Sequence, residues 1–258
     1  LEWLIEACIR MDDRFSEGRY TAYVSLCKIL CQKCSQPIEK KFLAHSYRLL
    51  HIGLAPGTGT QKTVEAIFLH ARYLFSLAHP GVNILIPDFL DSASRILKES
   101  QSKDLRIATI HVLLSVIGIC YFYEQGELPD IATVLKTKKV EVDEAGTKKN
   151  TYNTLRTKVC QMLMLAVVDD QFPEVQIKCI WGLYTIVHQR LTSFGEDGSS
   201  VKFIIDSLLG FICHKDDSVA QAAQDAIISM AHMELFVKLG DATIKTIVST
   251  LCENLTTL

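Results

Sequence analysis

The stretch Asp216-Asp217-Ser218-Val219-Ala220-Gln221-Ala222-Ala223-Gln224-Asp225-Ala226-Ile227 decides the fold class of this chain. Two carboxylates stand where a helix needs an N-cap, a valine follows, and alanines then recur on one helical face, small enough for a second helix to pack closely. The same phrase occurs upstream as Phe172-Pro173-Glu174-Val175-Gln176-Ile177-Lys178-Cys179-Ile180-Trp181-Gly182-Leu183, where Pro173 suits a first helical turn. Fainter copies are Lys103-Asp104-Leu105-Arg106-Ile107-Ala108-Thr109-Ile110 and Gln61-Lys62-Thr63-Val64-Glu65-Ala66-Ile67-Phe68.

Val175 and Val219 are 44 positions apart, and Val64 and Leu105 are 41 apart. Both spacings fall within the roughly 40–47 residues of HEAT and armadillo units. The expected architecture is all-α, a HEAT- or armadillo-like α-solenoid of antiparallel helix pairs. Val175, Trp181, Ala222 and Ala226 are expected on inner helix faces. From Leu105 to Val175 the distance is 70, and a polar, lysine-rich insertion from about Glu124 to Asn153 accounts for the excess. It holds Lys136, Lys138, Lys139, the alternation Val140-Glu141-Val142-Asp143, a Glu144-Ala145-Gly146 turn and Thr147-Lys148-Lys149-Asn150, and reads as a small β-hairpin or a disordered loop. The organisation read from the sequence is therefore N-terminal helical repeats over 1–123, the insertion over 124–153 and C-terminal HEAT-like repeats over 154–258, in one continuous solenoid. Further breaks fall at Ser35-Gln36-Pro37, Ala55-Pro56-Gly57-Thr58-Gly59 and Phe194-Gly195-Glu196-Asp197-Gly198-Ser199.

With 258 residues, 48% apolar and 22% charged, the chain can bury a sizeable core. Its net charge of -2 marks no nucleic-acid or anionic-membrane surface. Nine cysteines, an odd number set mostly within apolar helical patterns, look like reduced, buried thiols of a cytoplasmic protein. Leu1 to Arg10 already reads as amphipathic helix, without the segments of a signal peptide. The chain begins and ends in mid-pattern, as a piece of a longer protein would. Ile107 to Tyr123 is apolar except for Thr109, His111, Ser115 and Gly118, but it is shorter than the roughly 20 residues of a membrane span and is expected as a core helix.

No constellation carries convincing chemistry. Cys27, Cys31 and Cys34 match the C-x3-C-x2-C spacing of an iron–sulfur site in radical enzymes, yet the same spacing is one face of a helix that Tyr23, Leu26 and Leu30 continue. Gly53-Leu54-Ala55-Pro56-Gly57-Thr58-Gly59-Thr60-Gln61-Lys62-Thr63 looks like a phosphate-binding loop, but Gln61 replaces the glycine that must precede the lysine, and helical periodicity precedes it over Phe42 to Ile52. Ile84-Leu85-Ile86-Pro87-Asp88 fails as an acidic metal-binding strand because Pro87 would end it. The eight histidines make no pair at i, i+3 or i+4. Asp12-Asp13, Asp169-Asp170 and Asp216-Asp217 are expected at helix starts or in loops, as caps. No catalytic, cofactor-binding or metal-ligating residue and no cofactor is assigned.

A second pattern runs through the first hundred residues. It comprises Leu1-Glu2-Trp3-Leu4; Glu17-Gly18-Arg19 leading into Ala22-Tyr23 and Leu26-Cys27; Phe42-Leu43-Ala44-His45-Ser46-Tyr47; His51-Ile52-Gly53-Leu54; and His79-Pro80-Gly81-Val82-Asn83-Ile84-Leu85-Ile86-Pro87-Asp88-Phe89. In this order it resembles the helical-repeat middle of the large subunits, α or β, of the Ral GTPase-activating complex, relatives of tuberin. The resemblance covers about Leu1 to Glu99; the Gly57 to Gly59 linker and the lysine-rich insertion have no place in it. It implies a protein whose GTPase activation resides in a separate domain that supplies an asparagine, and nothing in this chain resembles that domain. The implied partners are the other subunit of the complex and a Ral-type small GTPase or a regulatory GTPase-like protein, with no nucleic acid and no membrane span. Three functions are thus in play: a non-catalytic scaffold of a GTPase-activating complex, a trafficking or transport adaptor binding peptide cargo on the same fold, and a helical nucleotide-binding protein resting on Gly53 to Thr63.

Overall fold

The computed structural model describes residues 2–10, 12–33, 36–57, 60–122, 152–192, 201–232, 235 and 239–256. Among these, all regular structure is helical and no residue lies in a strand. The helices are α1 (Glu2–Ile9), α2 (Ser16–Leu30), α3 (Lys40–Leu54), α4 (Gln61–His70), α5 (Ile86–Glu99), α6 (Lys103–Phe122), α7 (Tyr152–Asp169), α8 (Pro173–Thr192), α9 (Lys202–Gly210), α10 (Asp217–His232) and α11 (Asp241–Thr256). The expected insertion at 124–153 lies outside the described residues apart from the first residues of α7, as do the hairpin within it and the break at 194–199. The chain divides into two compact units, Leu1–Val159 and Cys160–Leu258.

In the first unit α1 packs on α2, α3 on α4 and α5 on α6, and each of α1 to α4 also packs on the helix two further along. α1 lies against α2 and α3, α3 against α4 and α5, α2 against α4, and α6 against α4 and α5. The cause is local. α5 buries Ile86, Phe89, Leu90, Ser92, Ala93 and Ile96 at helical spacing, and Pro87 in its first turn occupies a position that needs no N–H. α6, the apolar stretch read as a core helix, has no exposed residue from Leu105 to Ile119. Each of its fully buried Leu, Ile and Val side chains contributes about 1.5–3 kcal/mol. No helix among the described residues is long and apolar enough to cross a membrane.

The second unit repeats this neighbour pattern. α8 packs on α10, α9 on α11, and α9 also on α8 and α10. The two strongest copies of the repeated phrase therefore open two helices that lie side by side, as the fainter copies do in α4 and α6. All four anchors, Val64, Leu105, Val175 and Val219, are buried. Three of the four helix starts, those before Val64, Leu105 and Val219, are capped by a side chain from just upstream. Thr60 Oγ1 accepts from Thr63 N at 3.3 Å, Ser102 Oγ from Leu105 N at 3.4 Å, and Asp216 Oδ1 from Ser218 N and Val219 N at 3.0 and 3.2 Å.

Three expectations need correction. Trp181 is not on an inner face: it is 37% exposed, while Val175, Ala222 and Ala226 are buried as expected. At about 100° per residue Trp181 lies on the side of α8 opposite Val175, Cys179, Leu183 and Ile186, and its ring stacks edge-on against Tyr184 with centroids 5.7 Å apart. The helical face proposed for Cys27, Cys31 and Cys34 ends early. α2 closes at Leu30, Cys31 is the half-buried residue that caps it through its N–H to Cys27 O at 2.9 Å, and Cys34 lies outside the described residues. Asp169, expected at a helix start or in a loop, is the last residue of α7, while Asp170 after it accepts from Phe172 N at 3.0 Å.

Candidate functional site

The residues that carry the family resemblance converge inside the first unit. Tyr23 of α2 is buried, and its hydroxyl donates to Leu49 O of α3 at 3.0 Å. Gly53, one turn further along α3, makes room for that ring: a Cβ at Gly53 would lie 2.8 Å from Tyr23 Cε1 and 2.9 Å from Ile67 Cδ1. Tyr47 Oη donates to Pro80 O at 3.1 Å, and Gly81 beside it takes a φ of 78°, which a glycine adopts without strain. Phe89 closes the arrangement from α5, with its ring 5.4 Å from Phe68 and 5.1 Å from Phe75.

The same residues also satisfy the carbonyls that helix C-termini leave open. The last residue of α2, Leu30, gives its carbonyl to His79 Nε2 at 2.7 Å, which fixes the proton on that nitrogen. The last carbonyl of α3, Leu54 O, accepts from Arg95 Nη2 at 3.0 Å and Ser92 Oγ at 3.3 Å. A further tie recurs with a separation of nine residues. Arg19 Nη1 reaches Arg10 O at 2.6 Å, Arg106 Nη1 reaches Leu97 O at 2.9 Å, and Gln176 Nε2 reaches Val167 O at 3.0 Å. Sequence reasoning missed these ties, although a long polar side chain early in an otherwise apolar helix is the signal that would have found them.

His51 and Asp88 are the pair with the most chemical character. His51 Nδ1 lies 2.8 Å from Asp88 Oδ2, joining α3 to the first turn of α5. Burial pushes the Asp88 carboxyl above its usual range, and Asp91 adds to this, while the His51 hydrogen bond opposes it. Its geometry is that of a brace between two helices. Among the described residues no group of three His, Cys, Asp or Glu side chains is placed to hold a metal ion.

The remaining sequence candidates have structural occupations. The Gly53 to Thr63 stretch is the link from α3 to α4; Thr58 and Gly59 lie outside the described residues. A cavity of about 270 Å³ beside it is lined by Gln61, Ser92, Arg95, Ile96 and Glu99 among others; Arg95 gives Nη2 to Leu54 O and Ser92, and Glu99 opposes an anion. Cys27 is fully buried, with its thiol pushed well above the ordinary range by desolvation, and burial raises Cys31 to about 11. Neither thiol is poised to become the thiolate that metal binding and nucleophilic attack require. Ile84-Leu85 belong to a 3-10 turn, Val82–Leu85, that runs directly into α5.

Comparison with known proteins points one way. Over 156 residues, 59% of this chain and 8% of the relative, it is 26% identical to Ral GTPase-activating protein subunit alpha-2 of Mus musculus. To subunit alpha-1 of Homo sapiens it is 29% identical over 130 residues, 50% of this chain and 6% of the relative. To the beta subunit of Homo sapiens it is 28% identical over 122 residues, 43% of this chain and 8% of the relative. The chain thus spans less than a tenth of the length of these relatives. No family model and no solved structure matches it. The resemblance first read from Trp3, Tyr23, His51, Gly53 and Asp88 is therefore a relationship that extends over about half of the chain: it is similar to the alpha and beta subunits of Ral GTPase-activating proteins.

Proposed function

We propose that this chain is a non-catalytic, cytoplasmic scaffold segment of a GTPase-activating complex for Ral-type small GTPases, built as a HEAT- or armadillo-like solenoid of antiparallel helix pairs and engaging a partner subunit. The carrying observation is the similarity to three kinds of subunit named for that activity, alpha-1, alpha-2 and beta. Two structural facts support it. The residues that carry the resemblance are spent on holding helices together, and within each unit helices pack on their first and second neighbours, the contact pattern of stacked helix pairs. In this reading the repeats over 1–123 and 154–258 form one solenoid interrupted by the insertion at 124–153, and the segment is not itself an enzyme.

The test is reconstitution. The purified chain is mixed with GTP-loaded Ral, with and without a partner subunit of the complex. Co-purification with the subunit and no acceleration of hydrolysis by the chain alone are expected. Stimulated hydrolysis by the chain alone would show that it carries the chemistry itself; failure to associate with the subunit would remove the scaffold role and favour an adaptor of another kind.

A further inference from the structure

The cavity of about 270 Å³ lies between the start of α4, which gives it Gln61 and Val64, and the second half of α5, which gives it Ser92, Arg95, Ile96 and Glu99. It falls just below the usual range of ligand pockets, about 300–1,000 Å³, and so suits a molecule of a few heavy atoms rather than a nucleotide. Val64, Ser92 and Ile96 form a buried wall. Arg95 and Glu99 stand one turn apart on α5, the spacing at which a guanidinium and a carboxylate ordinarily meet. Here they do not pair. Arg95 is turned to the end of α3, where Nη2 donates to Leu54 O at 3.0 Å and to Ser92 Oγ at 3.1 Å, and its Nε is buried without a partner. Glu99 takes no hydrogen bond or ion pair among the described residues. Neither adjacent lysine supplies the missing charge, since Lys62 is paired with Glu17 and Lys98 does not line the cavity.

We propose that this cavity binds a small zwitterion of the α-amino acid class, with its carboxylate on Arg95, its ammonium on Glu99 and a short apolar side chain against Val64 and Ile96. A simple anion is opposed by Glu99 and a simple cation by Arg95, so only a molecule that carries both charges compensates both groups. The helix ends agree with this polarity: the start of α4 favours negative charge and the last turn of α5 positive charge. The inference goes beyond the scaffold reading and does not rest on it.

The probe is L-valine, compared with isovalerate, which lacks the ammonium, and isobutylamine, which lacks the carboxylate. Each is titrated into the 258-residue chain and followed by protein NMR. Valine is expected to bind more tightly than either analogue by roughly two- to fivefold, the worth of one solvent-accessible charge pair. Glu99 is exposed, so Glu99→Gln should leave the melting temperature unchanged and bring valine down to the level of isovalerate. Glu99→Lys should make isovalerate the better ligand. The charge of Arg95, which also caps α3, is tested through isobutylamine in the unaltered chain, without a substitution that would loosen the fold. No binding of valine, binding of either analogue as tight as that of valine, or valine binding unaffected by Glu99→Gln would each overturn the proposal. None of these measurements involves Ral or a partner subunit, so their failure leaves the scaffold reading standing, and failure of co-purification with the subunit leaves the cavity standing.

Discussion

Gly53 offers the sharpest check on the claim that the family pattern is structural. A methyl group at this position would sit 2.8 and 2.9 Å from Cε1 and Cζ of Tyr23, where carbon atoms normally rest about 3.5–4.0 Å apart. Ile67 Cδ1, at 2.9 Å, is the flexible end of a side chain and can rotate away. The Tyr23 ring cannot, because it is 1% exposed and its hydroxyl is tied to Leu49 O. Relief must therefore come from separating α3 from α2, an overpacking cost of about 1–3 kcal/mol. Alanine regains up to about 1 kcal/mol of helix propensity over glycine, less here because Gly53 is next to the end of α3. Gly53→Ala is thus expected to destabilise by roughly 0.5–2 kcal/mol, and Gly53→Val by more, since it adds volume and loses the propensity gain. Thermal and urea unfolding followed by circular dichroism would read this as a fall of about 2–4 °C per kcal/mol. The same cost should shrink in a Tyr23→Leu background, giving a coupling of roughly 0.5–3 kcal/mol in the double-mutant cycle. A higher melting temperature for Gly53→Ala, or strict additivity with Tyr23→Leu, would refute the close-approach argument.

Trp181→Ala should cost less than the roughly 3–5 kcal/mol of a fully buried aromatic, because the ring is 37% exposed, whereas Ala226→Asp places a carboxylate at a fully buried contact and should unfold the second unit, as chemical denaturation of the two variants would show. Because the folded state raises the Asp88 pKa, folded protein takes up this proton earlier than unfolded chain as pH falls. Asp88 therefore gains the fold stability on acidification through that raised pKa and loses it as pH rises through it, so Asp88→Asn should make the slope of stability against pH more positive in the weakly acidic range. A slope that becomes more negative in the variant would contradict the assigned sign. Cys213 and Cys252 should react with a thiol reagent in the native state, while Cys8, pushed up to about 12 by burial, and Cys27 should react only on unfolding; mass-resolved labelling separates them, and rapid native labelling of Cys27 would overturn the core assignment. Metal chelators are expected to leave the melting temperature unchanged, and a drop would revive a metal role for the Cys27, Cys31 and Cys34 spacing.

Much of this protein was legible from local chemistry. Acidic caps followed by an apolar anchor announce a helix start, so Asp216 and Asp217 before Val219 marked α10 from the chain alone, whereas the caps Ser102 and Thr60 of α6 and α4 emerged only in the structure. The helices that open on these repeated phrases, α4 with α6 and α8 with α10, lie side by side. Other features depended on contacts between distant residues, which periodicity does not encode. Trp181 was assigned inward because a large apolar residue inside an apolar helix is usually core, and only the orientation of α8 showed it turned outward. Gly53 could be read as part of a pattern but not as the space for Tyr23, thirty positions away. The pairing of His51 with Asp88 and the capture of Leu30 O by His79 each join residues whose separation in the chain carries no local signal. Local rules choose which segments become helices; which faces meet, and which remain open, is settled by the packing of whole helices, where the neighbour that buries or frees a side chain comes from elsewhere in the chain.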